Sequence, residues 1–144
     1  MSPKNLSILA LLVLVAVLVY LAYTGQILGG PVTTTFQAAA LLLMVWARIT
    51  FGMRSFHAAA NPTAGGLVTT GPYRFVRHPI YAAILLFLGA AIAAHPLWRN
   101  AGLGLIIVAA LLVRMLSEER LVVERYPEYA EYARRTKRLL PGVF

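Results

Sequence analysis

Four runs of apolar residues divide this chain, at positions 6–23, 36–53, 80–94 and 101–116. A bilayer core about 30 Å thick is crossed by about 20 helical residues, so the runs predict about four transmembrane helices, the last two short. Only positions 96–100 join the last two runs, which predicts a tight antiparallel hairpin. We therefore expect an all-α integral membrane protein whose residues 1–144 form a single membrane domain.

The composition supports this interpretation. Hydrophobic residues make up 60% of the chain, charged residues 12%, and the mean hydropathy is +0.74. A small helix bundle cannot hide that much apolar surface from water, so lipid must cover part of it. The first run is longer than the apolar core of a signal peptide, roughly 7–15 residues, and is expected to be a retained span. The absence of cysteine excludes disulfides, thiolate metal sites and a cysteine nucleophile.

The net charge of +8 is distributed unevenly around the apolar runs. With four spans, the N-terminus, the central loop and the C-terminal tail lie on one side, and the other side carries only Arg99. The basic residues of the first side are Lys4, Arg54, Arg74, Arg77, Arg120, Arg125, Arg134, Arg135, Lys137 and Arg138. The positive-inside rule places that side, with both termini, in the cytoplasm. This distribution favours a membrane surface over nucleic acid as the partner of the charge.

The tail after the fourth run, 117–141, is expected to remain helical at first. Good helix formers continue through position 125, and Pro127 can begin a second short helix. Val122, Tyr126, Tyr129 and Ala133 recur at helical spacing, which gives the tail one apolar face. This face predicts a segment that lies along the membrane interface.

The loop 67–80 carries the densest chemistry, in the segment GPYRFVRHPIY at positions 71–81. Positive-inside anchoring explains Arg74 by itself, but His78 adds little charge at pH 7. Because Pro79 can begin the next helix, His78 lies where free backbone amides can face a common ligand. Tyr73 and Tyr81 fit either an interfacial aromatic belt or a site.

The fourth run ends in a second polar cluster. Arg114 lies four residues before Glu118 and five before Glu119, so it shares a helical face with the first and is near the second. One interpretation is an ordinary interfacial ion pair. The other is a site in which a carboxylate binds a cationic group and Arg114 an anionic one, because ionisable groups at membrane depth are costly. Arg48 in the second run either snorkels to the interface or faces a substrate.

Several classes of function lack the residues that they need. The three histidines show no metal-ligand spacing, and His57 and His95 are expected in loops, so no metal site is predicted. The chain has no aspartate, no Ser-His-acid pattern and no phosphate-binding glycine loop. These absences exclude a hydrolase or nucleotide triphosphatase of a known pattern.

The segment 71–81 resembles the G-x-Y-x-x-x-R-H-P-x-Y signature of the isoprenylcysteine carboxyl methyltransferase family. Glu118-Glu119, then YPEYAEY at 126–132 and Leu140-Pro141, resemble its second signature, which reads E-E, F-G-x-x-Y-x-x-Y, an arginine and a proline. The match covers about half of the chain, from about Leu67 to Pro141. Tyr126-Pro127 replaces the family's Phe-Gly, which changes the turn that opens the tail.

The resemblance implies methyl transfer from S-adenosyl-L-methionine, with S-adenosyl-L-homocysteine as the product. It implies that Glu118 binds the cofactor's ammonium group and that Arg114 and Glu119 are catalytic residues beside the reacting groups. Arg48 is the candidate substrate-binding residue. The resemblance to the family implies that the other cofactor-binding residues are Tyr73, Arg77, His78, Pro79, Tyr81, Tyr129 and Tyr132.

The resemblance leaves the methyl acceptor open. A lipophilic acceptor such as an isoprenylcysteine carboxylate would enter from the bilayer and needs no base, whereas an amine would need one, and His78 or Glu119 is a candidate. A phospholipid amine N-methyltransferase shares a similar four-span layout. A membrane reductase that uses a nicotinamide cofactor and a non-catalytic membrane scaffold remain as alternatives from other classes.

Overall fold

The computed structural model describes residues 2–52 and 66–144, and these form five α-helices. The helices are α1 (Pro3–Tyr23), α2 (Pro31–Phe51), α3 (Pro79–Ala94), α4 (Trp98–Arg125) and α5 (Tyr129–Arg135), with a 3-10 turn at Gly71–Arg74. The described part contains no strand, which confirms the predicted all-α class. The end of the second run at position 53, with Arg54 and His57, lies outside the described residues.

The first three helices each begin at a proline, namely Pro3, Pro31 and Pro79. Proline suits this position because its fixed φ is already helical and its missing N–H would have had no partner there. Helices α4 and α5 begin instead at Trp98 and Tyr129, so the short helix of the tail starts two residues after Pro127 and not at it. Helix α4 continues to Arg125 and extends past the apolar run, as predicted.

Three of the helices are long and apolar enough to cross a membrane. These are α1, α2 and α4, in which an 18-residue stretch has a mean hydropathy of 2.8, 1.4 and 1.9, respectively. Helix α3 is apolar but has only 16 residues. At 1.5 Å per residue it is about 24 Å long, less than the thickness of a hydrocarbon core.

The helices run alternately up and down. At one end, which we call the polar end, Ser7 of α1 contacts Arg114 of α4, and Gly71, beyond the end of α2, packs against Thr50. A Cβ on Gly71 would lie 2.5 Å from the Thr50 hydroxyl, and its φ of +55° also favours glycine. At the opposite end, the far end, residues 24–30 meet residues 95–100. Helices α3 and α4 are therefore antiparallel, as predicted.

The closest packing does not follow chain order. Helix α1 packs along α4 and α2 along α3, while α3 and α4 join the two pairs less extensively. The buried positions of α1 are Ser7, Ala10, Leu14, Val17 and Leu21. Their spacing alternates between three and four residues, the period of a left-handed helix pair.

Buried polar side chains hold the far end together. Asn100 Nδ2 donates to Gln26 Oε1 at 2.8 Å and to the His95 carbonyl at 2.7 Å. Gln37 Nε2 donates to the Ile27 carbonyl at 2.6 Å. An amide left unpaired in such a place costs about 1–3 kcal/mol, so these bonds fix how the loop after α1 meets α2 and the loop before α4.

Candidate functional site

The site lies at the polar end, where the chain before α3 pairs with the chain after α5. The Arg77 amide donates to the Lys137 carbonyl at 2.7 Å, and the His78 amide donates to the Arg138 carbonyl at 3.0 Å. Val76 and Lys137 form an isolated parallel bridge. This pairing joins two segments that are about 60 residues apart in sequence.

Glu119 is the centre of an ionic cluster that joins α4 to both segments. It accepts hydrogen bonds from Arg77 Nε at 3.0 Å and His78 Nε2 at 3.3 Å. Arg138 approaches it through two nitrogens, with Nε 3.1 Å and Nη2 3.0 Å from Oε2. Bidentate arginine–carboxylate pairs are among the stronger ionic contacts in proteins. The side chain of Glu119 is 13% exposed.

Arg77 also fastens the short helix α5. Its Nη1 donates to the carbonyl of Ala133 at 2.8 Å and to that of Thr136. These carbonyls lie at the end of α5, where helical carbonyls lack partners within the helix. One guanidinium therefore bonds to α4 and to the tail at the same time.

A second cluster surrounds the hydroxyl of Tyr81. Arg114 Nε donates to this oxygen at 3.1 Å, and the hydroxyl donates to Glu118 Oε1. Arg114 Nη2 also lies 3.8 Å from Glu118 Oε1, the predicted i,i+4 pair. Arg114 Nη1 donates to the Ser7 carbonyl of α1 at 2.9 Å. The Arg114 side chain is 5% exposed and that of Glu118 is 28% exposed, so the carboxylate is the more accessible partner.

His78 lies between the two clusters. Its Nε2 faces Glu119 and its Nδ1 lies 3.7 Å from Glu118 Oε2. The imidazole stacks on the Tyr81 ring, with ring centres 5.5 Å apart and planes 18° apart. His78 is buried, and the next residue, Pro79, is buried at the start of α3. The ring is thus fixed in position beside both carboxylates.

Three further tyrosines line the polar end. The Tyr132 hydroxyl donates to the Tyr73 carbonyl at 2.6 Å, and Tyr129 packs edge-on to Tyr132. Burial raises the pKa of Tyr132 to about 12, against the nearby charge of Arg77. Burial and the charge of Glu118 raise the pKa of Tyr73, and burial and the charge of Glu119 raise that of Tyr129. The three phenols therefore stay protonated at neutral pH, and the Tyr132 hydroxyl acts as a hydrogen-bond donor.

Arg48 lies in the last turn of α2 and is partly buried. Its positive charge acts on Tyr73, where it opposes the rise in pKa caused by burial. Arg48 is thus close enough to the polar end to act on it electrostatically. Whether it binds a substrate stays a prediction.

All of the predicted site residues converge at the polar end. Sequence reasoning missed two contributors, Arg138 and Ser7. In the sequence, Arg138 is one of several basic residues of the tail, although the second signature contains an arginine before its proline. Ser7 contributes its backbone carbonyl, and the pattern of side chains in a sequence does not predict a contact made by the backbone.

The predicted apolar face of the tail is only partly directed away from the protein. Val122, Tyr126 and Ala133 are partly buried, and Tyr129 is 6% exposed. Tyr129 therefore packs on the protein itself, because the bonds from Arg77 hold α5 against the site. The placement of the tail along the interface, and the side of the membrane that it faces, stay predictions.

The site places positively and negatively charged side chains close together in a partly buried region. Arg77, Arg114 and Arg138 face two carboxylates, with His78 between them. Such a set can bind a ligand that carries an ammonium and a carboxylate. Among the described residues no group of three His, Asp or Glu side chains is placed to hold a metal ion.

Comparisons with known proteins are consistent with this geometry. A family model described as "Isoprenylcysteine carboxyl methyltransferase (ICMT) family" matches residues 32–124, more than half of the chain. The matched range runs from the start of α2 almost to the end of α4. It leaves out α1 and the segment that carries Arg138.

Two curated relatives carry names from metal resistance. The chain is 40% identical over 76 residues to the cobalt-zinc-cadmium resistance protein CzcN of Cupriavidus metallidurans, over 52% of this chain and 35% of that protein. It is 36% identical over 78 residues to the nickel-cobalt-cadmium resistance protein NccN of Alcaligenes xylosoxydans xylosoxydans, over 52% of this chain and 36% of that protein. The aligned part is thus about a third of the length of these relatives. No solved structure is significantly similar to the chain.

Proposed function

Because the chain belongs to the isoprenylcysteine carboxyl methyltransferase family, we propose that it is a membrane methyltransferase that uses S-adenosyl-L-methionine and a lipophilic acceptor. The family and the apolar helices support the membrane methyltransferase class. The observation that carries the finer proposal is the pairing of a partly exposed carboxylate, Glu118, with a buried arginine, Arg114, through the hydroxyl of Tyr81.

The residues at the polar end fit the proposed cofactor. S-adenosyl-L-methionine carries an ammonium, a carboxylate and a sulfonium, and it supplies an electrophilic methyl group. Glu118 is the proposed partner of the ammonium, since it is the more exposed of the two glutamates. The remaining residues proposed to line the cofactor site are Tyr73, Arg77, His78, Pro79, Tyr81, Tyr129 and Tyr132.

Arg114 is proposed to act on the acceptor. Its guanidinium is fixed from three directions, by Ser7, Tyr81 and Glu118, so it presents a positive charge in a set orientation. An acceptor carboxylate held by that charge loses its own charge on methylation, so exclusion of water favours the reaction. Orientation and a dry environment would then provide most of the acceleration. An isoprenylcysteine-like carboxylate is therefore the preferred acceptor, with Arg48 as a candidate second contact.

A phospholipid amine is the second candidate acceptor, and the position of His78 favours it. An amine must lose a proton during methylation, and the imidazole is held beside both Glu118 and Glu119. His78 is therefore placed to take up that proton.

Metal resistance, named for the two relatives, comes into the proposal only through methyl transfer. The described residues group no set of metal ligands, and the chain has no cysteine. We propose that any contribution of this chain to resistance depends on a methylated membrane component. A variant with Glu118→Ala should then lose that contribution together with its transferase activity.

Calorimetric titration of the detergent-purified protein tests the cofactor. We expect saturable binding of S-adenosyl-L-homocysteine and none of reduced nicotinamide adenine dinucleotide phosphate. Glu118→Ala should weaken the binding, whereas Glu124→Ala, at an exposed position of the same helix, should leave it unchanged. Preference for the nicotinamide would instead indicate a reductase, and binding of neither would favour a scaffold.

The acceptor is tested by transfer of a labelled methyl group. The purified protein is incubated with labelled S-adenosyl-L-methionine and either an isoprenylcysteine or phosphatidylethanolamine in vesicles. Base-labile label in the first identifies a methyl ester, and base-stable label in the second identifies an N-methyl product. Cofactor binding without label in either would leave the transferase class standing and overturn both proposed acceptors.

A further inference from the structure

Glu118 and Glu119 are adjacent in sequence, but their surroundings differ. Glu118 bonds to the Tyr81 hydroxyl and keeps 28% of its side chain exposed. Glu119 keeps 13% exposed and is approached by three cationic or potentially cationic side chains. The resemblance to the family places Glu119 beside the reacting groups, yet its contacts describe a different task.

We propose that Glu119 is a positioning residue, and that Arg138 is its partner in a clasp that fixes the C-terminal segment against the segment before α3. The clasp consists of Arg77, Glu119 and Arg138. This inference rests on the proposed function, because the two segments that it joins carry residues of the proposed cofactor site.

The oxygens of Glu119 are already occupied by donors. Its Oε1 accepts from Arg77 Nε, His78 Nε2 and Arg138 Nε, at 3.0–3.3 Å. Its Oε2 accepts from Nε and Nη2 of Arg138, at 3.1 and 3.0 Å. Four nitrogens thus surround this carboxylate, and Arg138 Nε is shared between its two oxygens. A carboxylate surrounded in this way is a weak base and has no free lone pair directed to a substrate.

The same bonds determine where His78 points. The Arg138 carbonyl accepts from the His78 amide, while the Arg138 side chain binds the carboxylate that the His78 ring also binds. The backbone of Arg138 thus fixes the backbone of His78, and the side chain of Arg138 fixes the His78 ring through Glu119. Arg138 also lies over the ring of Phe144, 5.4 Å from its centre, which restrains the guanidinium further.

If the clasp opens, the C-terminal segment loses its ionic link to α4. The part of the proposed cofactor site that this segment forms then moves away from the rest. The bonds from Arg77 to the carbonyls of Ala133 and Thr136 would also weaken, because Glu119 no longer holds the Arg77 guanidinium in its orientation. Loss of the clasp should therefore weaken cofactor binding by loosening the site, without removal of any group proposed to touch the cofactor's methyl group.

Hydrogen–deuterium exchange on the full-length protein in detergent tests the clasp. In Arg138→Gln, the amides of Arg77 and His78 should exchange at least tenfold faster, because their acceptors are the carbonyls of Lys137 and Arg138. The amides of α1 and α4 should be unchanged, which also reports that the variant is folded. Arg134→Gln, an exposed arginine of α5, is the matched control and should behave as the wild type.

Cofactor affinity provides the second measurement. Arg138→Gln and Glu119→Gln should each weaken S-adenosyl-L-homocysteine binding about tenfold, and the double variant should be no weaker than either single one. Arg138→Lys, which keeps the charge but loses the bidentate geometry, should recover part of the affinity. Full additivity of the two substitutions would overturn the clasp, because partners in one contact cannot contribute independently.

Glu119→Gln separates the clasp from a catalytic role. Faster exchange at Arg77 and His78 is expected if Glu119 positions the segments. Unchanged exchange with abolished methyl transfer would make Glu119 a catalytic residue and overturn the proposal. If the wild type binds no S-adenosyl-L-homocysteine, the proposed function fails, but the exchange experiment still decides whether the clasp exists.

Discussion

Replacement of Tyr81 by phenylalanine removes a single oxygen from the centre of the Arg114–Glu118 pair. The ring remains, so its stacking on His78 and its contact with the Arg114 guanidinium, 5.4 Å from the ring centre, are kept. Only the two hydrogen bonds of the hydroxyl are lost. We expect Tyr81→Phe to fold and to bind S-adenosyl-L-homocysteine, but to transfer methyl groups about 30-fold more slowly.

The magnitude follows from the two partners of the hydroxyl. A hydrogen bond to a charged group contributes about 1.5–3 kcal/mol. Glu118 is 28% exposed, so water can replace the hydrogen bond that its carboxylate loses. Arg114 is only 5% exposed, so water does not replace the bond that Arg114 Nε loses. The cost is therefore that of the Arg114 bond, about 2 kcal/mol, which corresponds to about 30-fold in rate.

The assay is the initial rate of labelled methyl transfer to the acceptor found for the wild type, at saturating cofactor. Tyr23→Phe is the control, because Tyr23 is 90% exposed at the far end of α1 and should keep the wild-type rate. Calorimetric titration of the same preparations with S-adenosyl-L-homocysteine gives the cofactor affinity, and its stoichiometry corrects for any unfolded fraction.

A rate within threefold of the wild type would refute this reasoning, since it would mean that the orientation of Arg114 does not depend on Tyr81. A loss of cofactor affinity equal to the loss of rate would refute it differently. The hydroxyl would then serve cofactor binding through Glu118, not the acceptor through Arg114.

Three further predictions concern Arg114, Tyr132 and Asn100. Arg114→Gln should lower turnover about 100-fold while the midpoint of thermal unfolding shifts by only a few degrees. A loss of stability large enough to account for the loss of turnover would favour a merely structural ion pair. Tyr132→Phe removes the bond to the Tyr73 carbonyl and should weaken S-adenosyl-L-homocysteine binding about fivefold. Because the pKa of Tyr132 is raised to about 12, that factor should be constant from pH 7 to 10. Asn100→Ala leaves Gln26 without its buried partner and should lower the free energy of unfolding by about 2 kcal/mol, with cofactor affinity per folded molecule unchanged.

The sequence was most informative where a residue type has few uses. Pro79 predicted the start of α3, and the four-residue spacing of Arg114 and Glu118 predicted their shared face, because backbone geometry decides both. The family match also confirmed the resemblance that the RHP segment and the paired glutamates had suggested. The division of contacts between Glu118 and Glu119 could not be predicted, since it depends on Arg138, which the fold brings in from 19 positions away.

Helix pairing was the other feature beyond the reach of the pattern. Apolar residues surround α1 on all sides, so lipid-facing and protein-facing positions look alike in sequence. The buried stripe that begins at Ser7 became visible only with α4 beside it. Likewise, no pattern in the sequence links Gln26 to Asn100, 74 positions later, and only the fold shows that they bond to each other.

The pairing of α1 with α4 has a consequence for how the protein is made. The bond between Arg114 and the Ser7 carbonyl joins residues 107 positions apart, near the two ends of the membrane-embedded part of the chain. During synthesis α1 enters the bilayer long before its partner exists, so lipid must first cover the stripe from Ser7 to Leu21. The site can therefore be completed only after α4 has left the ribosome. Substitutions in α1 should then impair assembly late, after the other helices have been inserted.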